Sequence, residues 1–269
     1  MIVAGFILLS IGAADLVRQF VPRRWIGYLA AAVILLLLGS VSDALLPMVA
    51  ALIAGALWVW CMPTERPAPL GFWPAVLLAA VSIGAVVWLG ARTDSGLIGA
   101  VWHLRSPFGE VSFDLAMLAL GAGVFLLESS NLVVRAALDG EHTWRPADPA
   151  STPAPVPTPA PTPVPETEAA VAGIDDAGEE TSRPSDPRGG FQGGRLIGPL
   201  ERVLVLILTL AAAYPILAAM LAAKGIVRFP EISRDGETGA RAEYFLVGSL
   251  VSWVIALGAA FLVWWAAHS

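Results

Sequence analysis

GRLIGPLERVLVLILTLAAAYPILAAMLAAKGIVRFPEISRDGETGARAEYFLVGSLVSWVIALGAAFLVWW, residues 194–265, decides how the whole chain is read. Two apolar spans flank a polar loop, with charges where each span begins. Val203 to Ala223 is 21 residues without a charge, and Tyr244 to Ala267 is 24. A bilayer core about 30 Å thick takes roughly 20 helical residues, so each stretch has the length of a transmembrane helix.

The same pattern recurs upstream. Apolar stretches cover about 2–20, 25–42, 44–62, 71–91 and 112–134. The first holds Asp15, Arg18 and Gln19 in its second half, so it either crosses with a polar inner end or lies in the interface. A secretory signal carries its basic residues ahead of the apolar run. Here Arg18, Arg23 and Arg24 follow it, so a retained membrane segment is expected. The third stretch ends in WVWC, as aromatic residues do near headgroups. Pro74 sits in the first turn of the fourth, where a missing N–H costs least. The expected fold is an all-α polytopic transmembrane helix bundle of six or seven spans. Residues 1–138 form an N-terminal membrane domain and 195–269 a C-terminal hairpin of two helices, about 196–223 and 243–267. Pro215 is expected to kink the first of these.

Between them, 139–194 carries 11 of the 21 prolines, including STPAPVPTPAPTPVPET. Alternating proline favours a semi-rigid polyproline II rod, and the acidic and glycine-rich remainder favours coil. This Pro/Ala/Thr-rich stretch is expected to be a disordered linker.

Of 269 residues, 57% are apolar and 14% charged, against about 25% charged in a soluble domain. The net charge of −6 gathers in the linker, which holds ten acids and three arginines. The remainder is near neutral and offers no nucleic-acid surface. Cys61 is the only cysteine, which excludes an intrachain disulfide. Fifteen of the sixteen basic residues are arginine, a bias that points to a GC-rich bacterial genome and hence to a bacterial cytoplasmic membrane. With seven spans and Met1 outside, ten basic residues fall inside and six outside. The positive-inside rule favours that sense, which makes the linker cytoplasmic. The basic loop Lys224, Arg228, Arg234 and Arg241 stands against it.

The fifth stretch carries the most unusual pattern. Asp114, Gly121, Glu128 and Arg135 recur every seven residues, with Asn131 between the last two. On one continuous helix all five share a face. Ionisable groups inside a membrane cost about 2.5–3.5 kcal/mol on insertion scales and usually face the bundle interior. The linker joins the end of this stretch to the start of the sixth, so both lie at one membrane face. That face gathers Glu128, Asn131, Arg135, Glu201 and Arg202, and Glu128 is expected to pair with Arg202 or Arg135. The functional reading is a proton, ion or headgroup site; the plain one is a set of interfacial ion pairs and snorkelling arginines. Lys224 and Arg228 form a second candidate, for lipid headgroups or a partner, against a plain solvated loop at a membrane boundary.

Other chemistry finds no support. GGFQGGR lacks the Lys-Ser/Thr of a P-loop. His103, His142 and His268 share no ligand spacing with Cys61, and neither GxSxG nor HExxH occurs. Asp114 and Glu128, 14 residues apart, stand about 21 Å apart on a helix, too far to act on one bond. No metal or cofactor is expected.

GRLIGPLER at 194–202, AAKGIVRF at 222–229 and AEYFLVGSLVSW at 242–253 resemble the C-terminal region of an uncharacterised family of bacterial, partly phage-associated, integral membrane proteins. The resemblance implies membrane topology and carries no activity. Three functions therefore stand open. The first is a non-enzymatic membrane scaffold or assembly partner, touching lipid and other membrane proteins or itself. The second is a small transporter or channel using the stripe of the fifth span. The third is a membrane enzyme acting on lipid substrates.

Overall fold

A computed structural model describes residues 1–63, 70–90, 92, 96–99, 101–106, 109–140, 194–233 and 240–269; the side chains of 140, 194–196, 228–233 and 240–244 fall outside that description. The expected linker, 139–194, lies outside the described residues apart from its ends. Contacts divide the chain into Met1–Trp144 with Arg195–Ser269, which is the unit described below, and Arg145–Gly194.

The elements are α1 (Ile2–Phe20), α2 (Arg24–Val41), α3 (Leu45–Cys61), α4 (Trp73–Leu89) and the single turn α5 (Gly96–Gly99). A two-residue hairpin follows, β1 (Arg105–Ser106) antiparallel to β2 (Gly109–Glu110). Then come α6 (Phe113–Leu127), α7 (Ser129–Gly140), α8 (Gly194–Leu210), α9 (Tyr214–Ser233) and α10 (Ala240–His268). The described fold is thus helical save for that hairpin. Ser112 caps α6, its Oγ accepting from the Leu115 N–H at 3.2 Å, which satisfies one of the open donors of a first turn.

The apolar first stretch, with its polar second half, forms the hub. The face of α1 from Ile2 to Gly12 is buried almost without interruption, and so is Asp15. A helix apolar all round has no polar side to turn outward, so it is surrounded by other helices or by lipid. Glycine makes the enclosure tight. A Cβ at Gly5 would stand 2.8 Å from the Leu118 N, one at Gly12 2.8 Å from the Val124 carbonyl carbon, and one at Gly121 would collide with the Gly5 carbonyl. The order of these contacts, 5 with 118 and 12 with 124, makes α1 and α6 parallel. Ser10 meets Gly55 on α3 in the same sense. Helix α2 returns alongside, Gly27 against Val17 and Val21. The Met1 amino group donates to the Gly90 carbonyl at 2.6 Å, placing the end of α4 beside the start of α1. Helices α1, α2, α3, α4 and α6 therefore alternate in direction.

The outer surface is apolar. Trp25, Leu29 and Ile34 of α2, Leu46 and Trp60 of α3, and Trp88 of α4 (86% exposed) all face outward. Soluble monomers rarely expose contiguous apolar patches beyond a few hundred Å², and this chain exposes them on most of its helices. Among the described residues, three helices have the length and apolarity to cross a membrane: Ile2–Phe20, Arg24–Val41 and Phe245–His268. Phe113–Leu127 with Ser129–Asp139 makes a fourth if that pair, bent by 51°, is one span.

Six or seven spans were expected, and length and composition support fewer, for two local reasons. Helices α3 and α4 stop at 17 residues. The expected helix 196–223 is interrupted at Ala211–Ala213, where Ala212 takes φ 52°, and Pro215 opens the first turn of α9 instead of kinking a continuous helix. The fifth stretch is likewise two helices, parted at Glu128 (φ −129°, ψ −42°), so its seven-residue spacing does not define one face.

Gly121→Leu should lower the thermal unfolding midpoint of detergent-solubilised protein, since overpacking costs about 1–3 kcal/mol or more. Gly123→Leu is the control: a Cβ there meets nothing within 4 Å, and its midpoint should match the parent's.

Candidate functional site

Buried charge in an apolar bundle has to be met by another charge or by hydrogen-bonding groups. Three places among the described residues do so, and each joins elements distant in sequence.

At the end shared by α1 and α3, Asp15 is 1% exposed. It is ion-paired to Arg18 and accepts from Trp58 Nε1 at 2.9 Å, while Arg18 Nη1 donates to the Met62 carbonyl at 2.9 Å. The polar half of the first stretch is thus an internal clasp. At the opposite end Asp114, 2% exposed, accepts from Arg92 Nη2 at 3.0 Å and Nε at 3.3 Å. Arg92 Nη1 also donates to the carbonyls of Ser42 and Asp43, at 3.1 and 3.2 Å. One guanidinium ties the turn between α2 and α3 to the start of α6. Burial lowers the pKa of the nearby Met1 amino group, with Asp114 opposing the shift and Arg92 adding to it.

The third place holds most of the residues singled out from sequence. Arg202 on α8 is 5% exposed. Its Nη1 donates to Asn131 Oδ1 at 2.7 Å, to Ser130 Oγ at 2.8 Å and to the Leu126 carbonyl at 3.5 Å. Its Nε donates to Ser252 Oγ on α10 at 2.8 Å. Asn131 Nδ2 donates in turn to Glu128 Oε2 at 3.2 Å. The expected Glu128–Arg202 contact is therefore relayed through Asn131 and is not a direct pair. A guanidinium is a rigid fork of five donors, and here neutral oxygens on α6, α7 and α10 surround it. The bend at Glu128 is what turns Ser130 and Asn131 toward it. Arg135 is exposed on the same helix, outside this ring of acceptors.

The neighbouring residue on α8 makes the companion contact. Glu201 accepts from Lys224 Nζ at 2.7 and 2.8 Å and from Trp253 Nε1 at 2.9 Å. Lys224 Nζ lies 5.5 Å from the Trp253 ring centroid and 6.0 Å from that of Phe245, within cation–π range. Adjacent residues of α8 thus engage adjacent residues of α10, Arg202 with Ser252 and Glu201 with Trp253. Lys224 belongs to this cluster and not to a separate one. The side chain of Arg228 lies outside the described residues.

The Glu201–Lys224 pair corrects the expected path of the chain. On one straight helix these residues would lie roughly 34 Å apart, at opposite membrane faces. Their side chains touch, so α9 doubles back from the break at Ala211–Ala213, and α8 and α9 make a helical hairpin with Tyr214 near its tip. Asp114 stays apart from all of this, at the other end of α6, and Gly121 serves the α1 contact. Sequence spacing missed Arg92, Ser130, Ser252 and Trp253; the Ser252 hydroxyl beside the Trp253 indole N–H within an apolar run was the available signal.

Comparison with known protein families, with curated proteins and with solved structures finds no match.

Lys224 is the only lysine of the chain, so a carbodiimide should join it to Glu201 without any added spacer. A peptide linking the two in the mass spectrum is the expected product; a Lys224 left unmodified or joined only to acids of 141–193 would restore the straight helix. Asp114→Ala should cost about 3 kcal/mol, the low end for stripping one partner from a buried pair because Arg92 keeps some contact with water. Chemical unfolding in mixed micelles reads that difference.

Proposed function

We propose that this chain is a polytopic membrane scaffold: a non-catalytic helical anchor that holds residues 141–193 at the cytoplasmic face of a bacterial inner membrane. The observation that carries this reading is where the buried polar groups go. Asp15, Asp114, Glu201 and Arg202 are each consumed by bonds between helices. The cleft among α4, α6, α7 and α10 is lined by apolar side chains, with Ser82 as its one polar lining group among the described residues. Transport along the fifth stretch would set Asp114 or Glu128 in that cleft, and neither lines it.

The proposed arrangement has six crossings, α1, α2, α3, α4, α6 with α7, and α10, together with the α8–α9 hairpin dipping in and out from one face. The 17-residue helices α3 and α4 sit at the short end of the range that spans a bilayer, roughly 17–25 residues. The hairpin moves Lys224, Arg228, Arg234 and Arg241 to the face that already holds Arg18, Arg23, Arg24 and the linker. Only Arg92 and Arg105 remain opposite, out of sixteen basic residues. This is a far stronger asymmetry than seven simple crossings give, and it supports a linker and a basic loop on the inside.

Two measurements test the proposal. In intact cells an impermeant maleimide should label Arg105→Cys, and should label Asp235→Cys only after permeabilisation, both in a Cys61→Ser background. Labelling of both from outside would overturn the topology. Purified protein in vesicles should add no proton or cation flux to that of empty vesicles. A flux removed by Glu201→Gln would replace the scaffold with a transporter.

A further inference from the structure

Helix α10 packs against α4, α6 and α7 without filling the space among the four. They leave a cleft of about 560 Å³ floored by Leu8 of α1 and Ala122 and Phe125 of α6. That size lies within the range of small-molecule sites, roughly 300–1,000 Å³. Its walls are Phe72 to Ile83 on α4 and Val247 to Leu262 on α10. Several wall residues are exposed as well, Val76, Ile83, Leu250, Val254 and Phe261 among them. The cleft therefore opens sideways and continues into the apolar outer surface.

We propose that this cleft is a lipid site and that it holds one acyl chain of a membrane phospholipid from the leaflet on the linker side. Three observations argue for that occupant. The first is depth: the wall from Phe72 to Ile83 spans roughly 16 Å and that from Val247 to Leu262 roughly 22 Å at the helical rise, between half and three quarters of a hydrocarbon core about 30 Å thick. The cleft has the depth of one acyl chain and begins at the start of α4, where Phe72 and Trp73 stack at 5.6 Å in the manner of an interfacial aromatic pair. The second is chemistry: a single hydroxyl among the lining side chains suits a hydrocarbon chain and little else. The third is continuity, since a cleft open to the outer surface of a membrane-embedded bundle meets lipid tails before any other solute. The polar cluster that fastens α8 and α9 stays outside the cleft, since Ser252 and Trp253 share this stretch of α10 and neither lines it.

Ser82 separates this ligand from a polar one. Its Oγ is buried without a hydrogen-bond partner and lines the cleft. An acyl chain does not use it, whereas a quinone or another carbonyl-bearing ligand would.

The test uses the full chain in vesicles of phosphatidylethanolamine and phosphatidylglycerol containing a phospholipid with a diazirine in its acyl chain. Photolysis should concentrate adducts on 75–83 and 247–262, several-fold above those on α2, which faces outward along its length. Gly258→Leu should remove most of these adducts, because a Cβ at Gly258 meets nothing within 4 Å and a longer side chain fills the cleft without a clash. Ala79→Phe is the second filling variant, and an unchanged unfolding midpoint in either confirms that the fold survived. Ser82→Ala should leave the adducts unchanged. Adducts spread evenly over α2 and the cleft, or insensitive to both filling variants, would overturn the proposal. So would a strong loss with Ser82→Ala, which would indicate a polar ligand, or a dimer by light scattering that shields the cleft from the probe.

Discussion

The bundle depends on two helices touching backbone to backbone. Where α1 crosses α6, Gly5, Gly12 and Gly121 bring main-chain atoms into contact. In lipid, helices gain no hydrophobic drive from meeting, so association rests on close packing and on hydrogen bonds. The small residues supply the first. Once α1 is held there, α3 joins through Ser10 and Trp58, α2 and α4 follow by chain connection, and α1 loses contact with the surroundings. The N-terminal helix is then the interior of the protein.

Hydrogen bonds supply the second part, at the ends of the helices. Each clasp joins elements that chain connection alone would leave free to slide: α1 to α3 through Asp15, the turn after α2 to α6 through Arg92, and α8 to α7 and α10 through Arg202. A buried ion pair is weak evidence of stability, because desolvation offsets much of the attraction. It is stronger evidence of register, since a displaced partner leaves a bare charge in an apolar setting. Arg202, ringed by neutral oxygens, fixes α8 against the bend at Glu128 more firmly than it stabilises the whole.

Much of the architecture was legible in the chain. Apolar runs separated by short polar turns gave the helices α1 to α4 and α10 nearly to their ends, because length and hydropathy are local properties. The residues of the polar cluster were also legible, since charge and amide groups stand out in an apolar run. Their pairing was not. Spacing of seven assumes an unbroken helix, and the bend at Glu128 removes that premise. The reversal at Ala211–Ala213 was hidden for a similar reason: alanine carries no turn signal, and only Pro215 marked the place. Arg92 was overlooked because its partners, Ser42, Asp43 and Asp114, come from two distant parts of the sequence.

The reversal at Ala212 also bears on how the chain enters a membrane. A crossing helix obliges the segment after it to be carried through the hydrocarbon, and 228–241 would take three arginines and three acids with it. A hairpin that turns back asks for no such transfer. In the proposed arrangement the heaviest polar cargo moved during insertion is the short stretch between α4 and α6. The C-terminal third is delivered as one apolar helix, with its charged flank left where synthesis placed it.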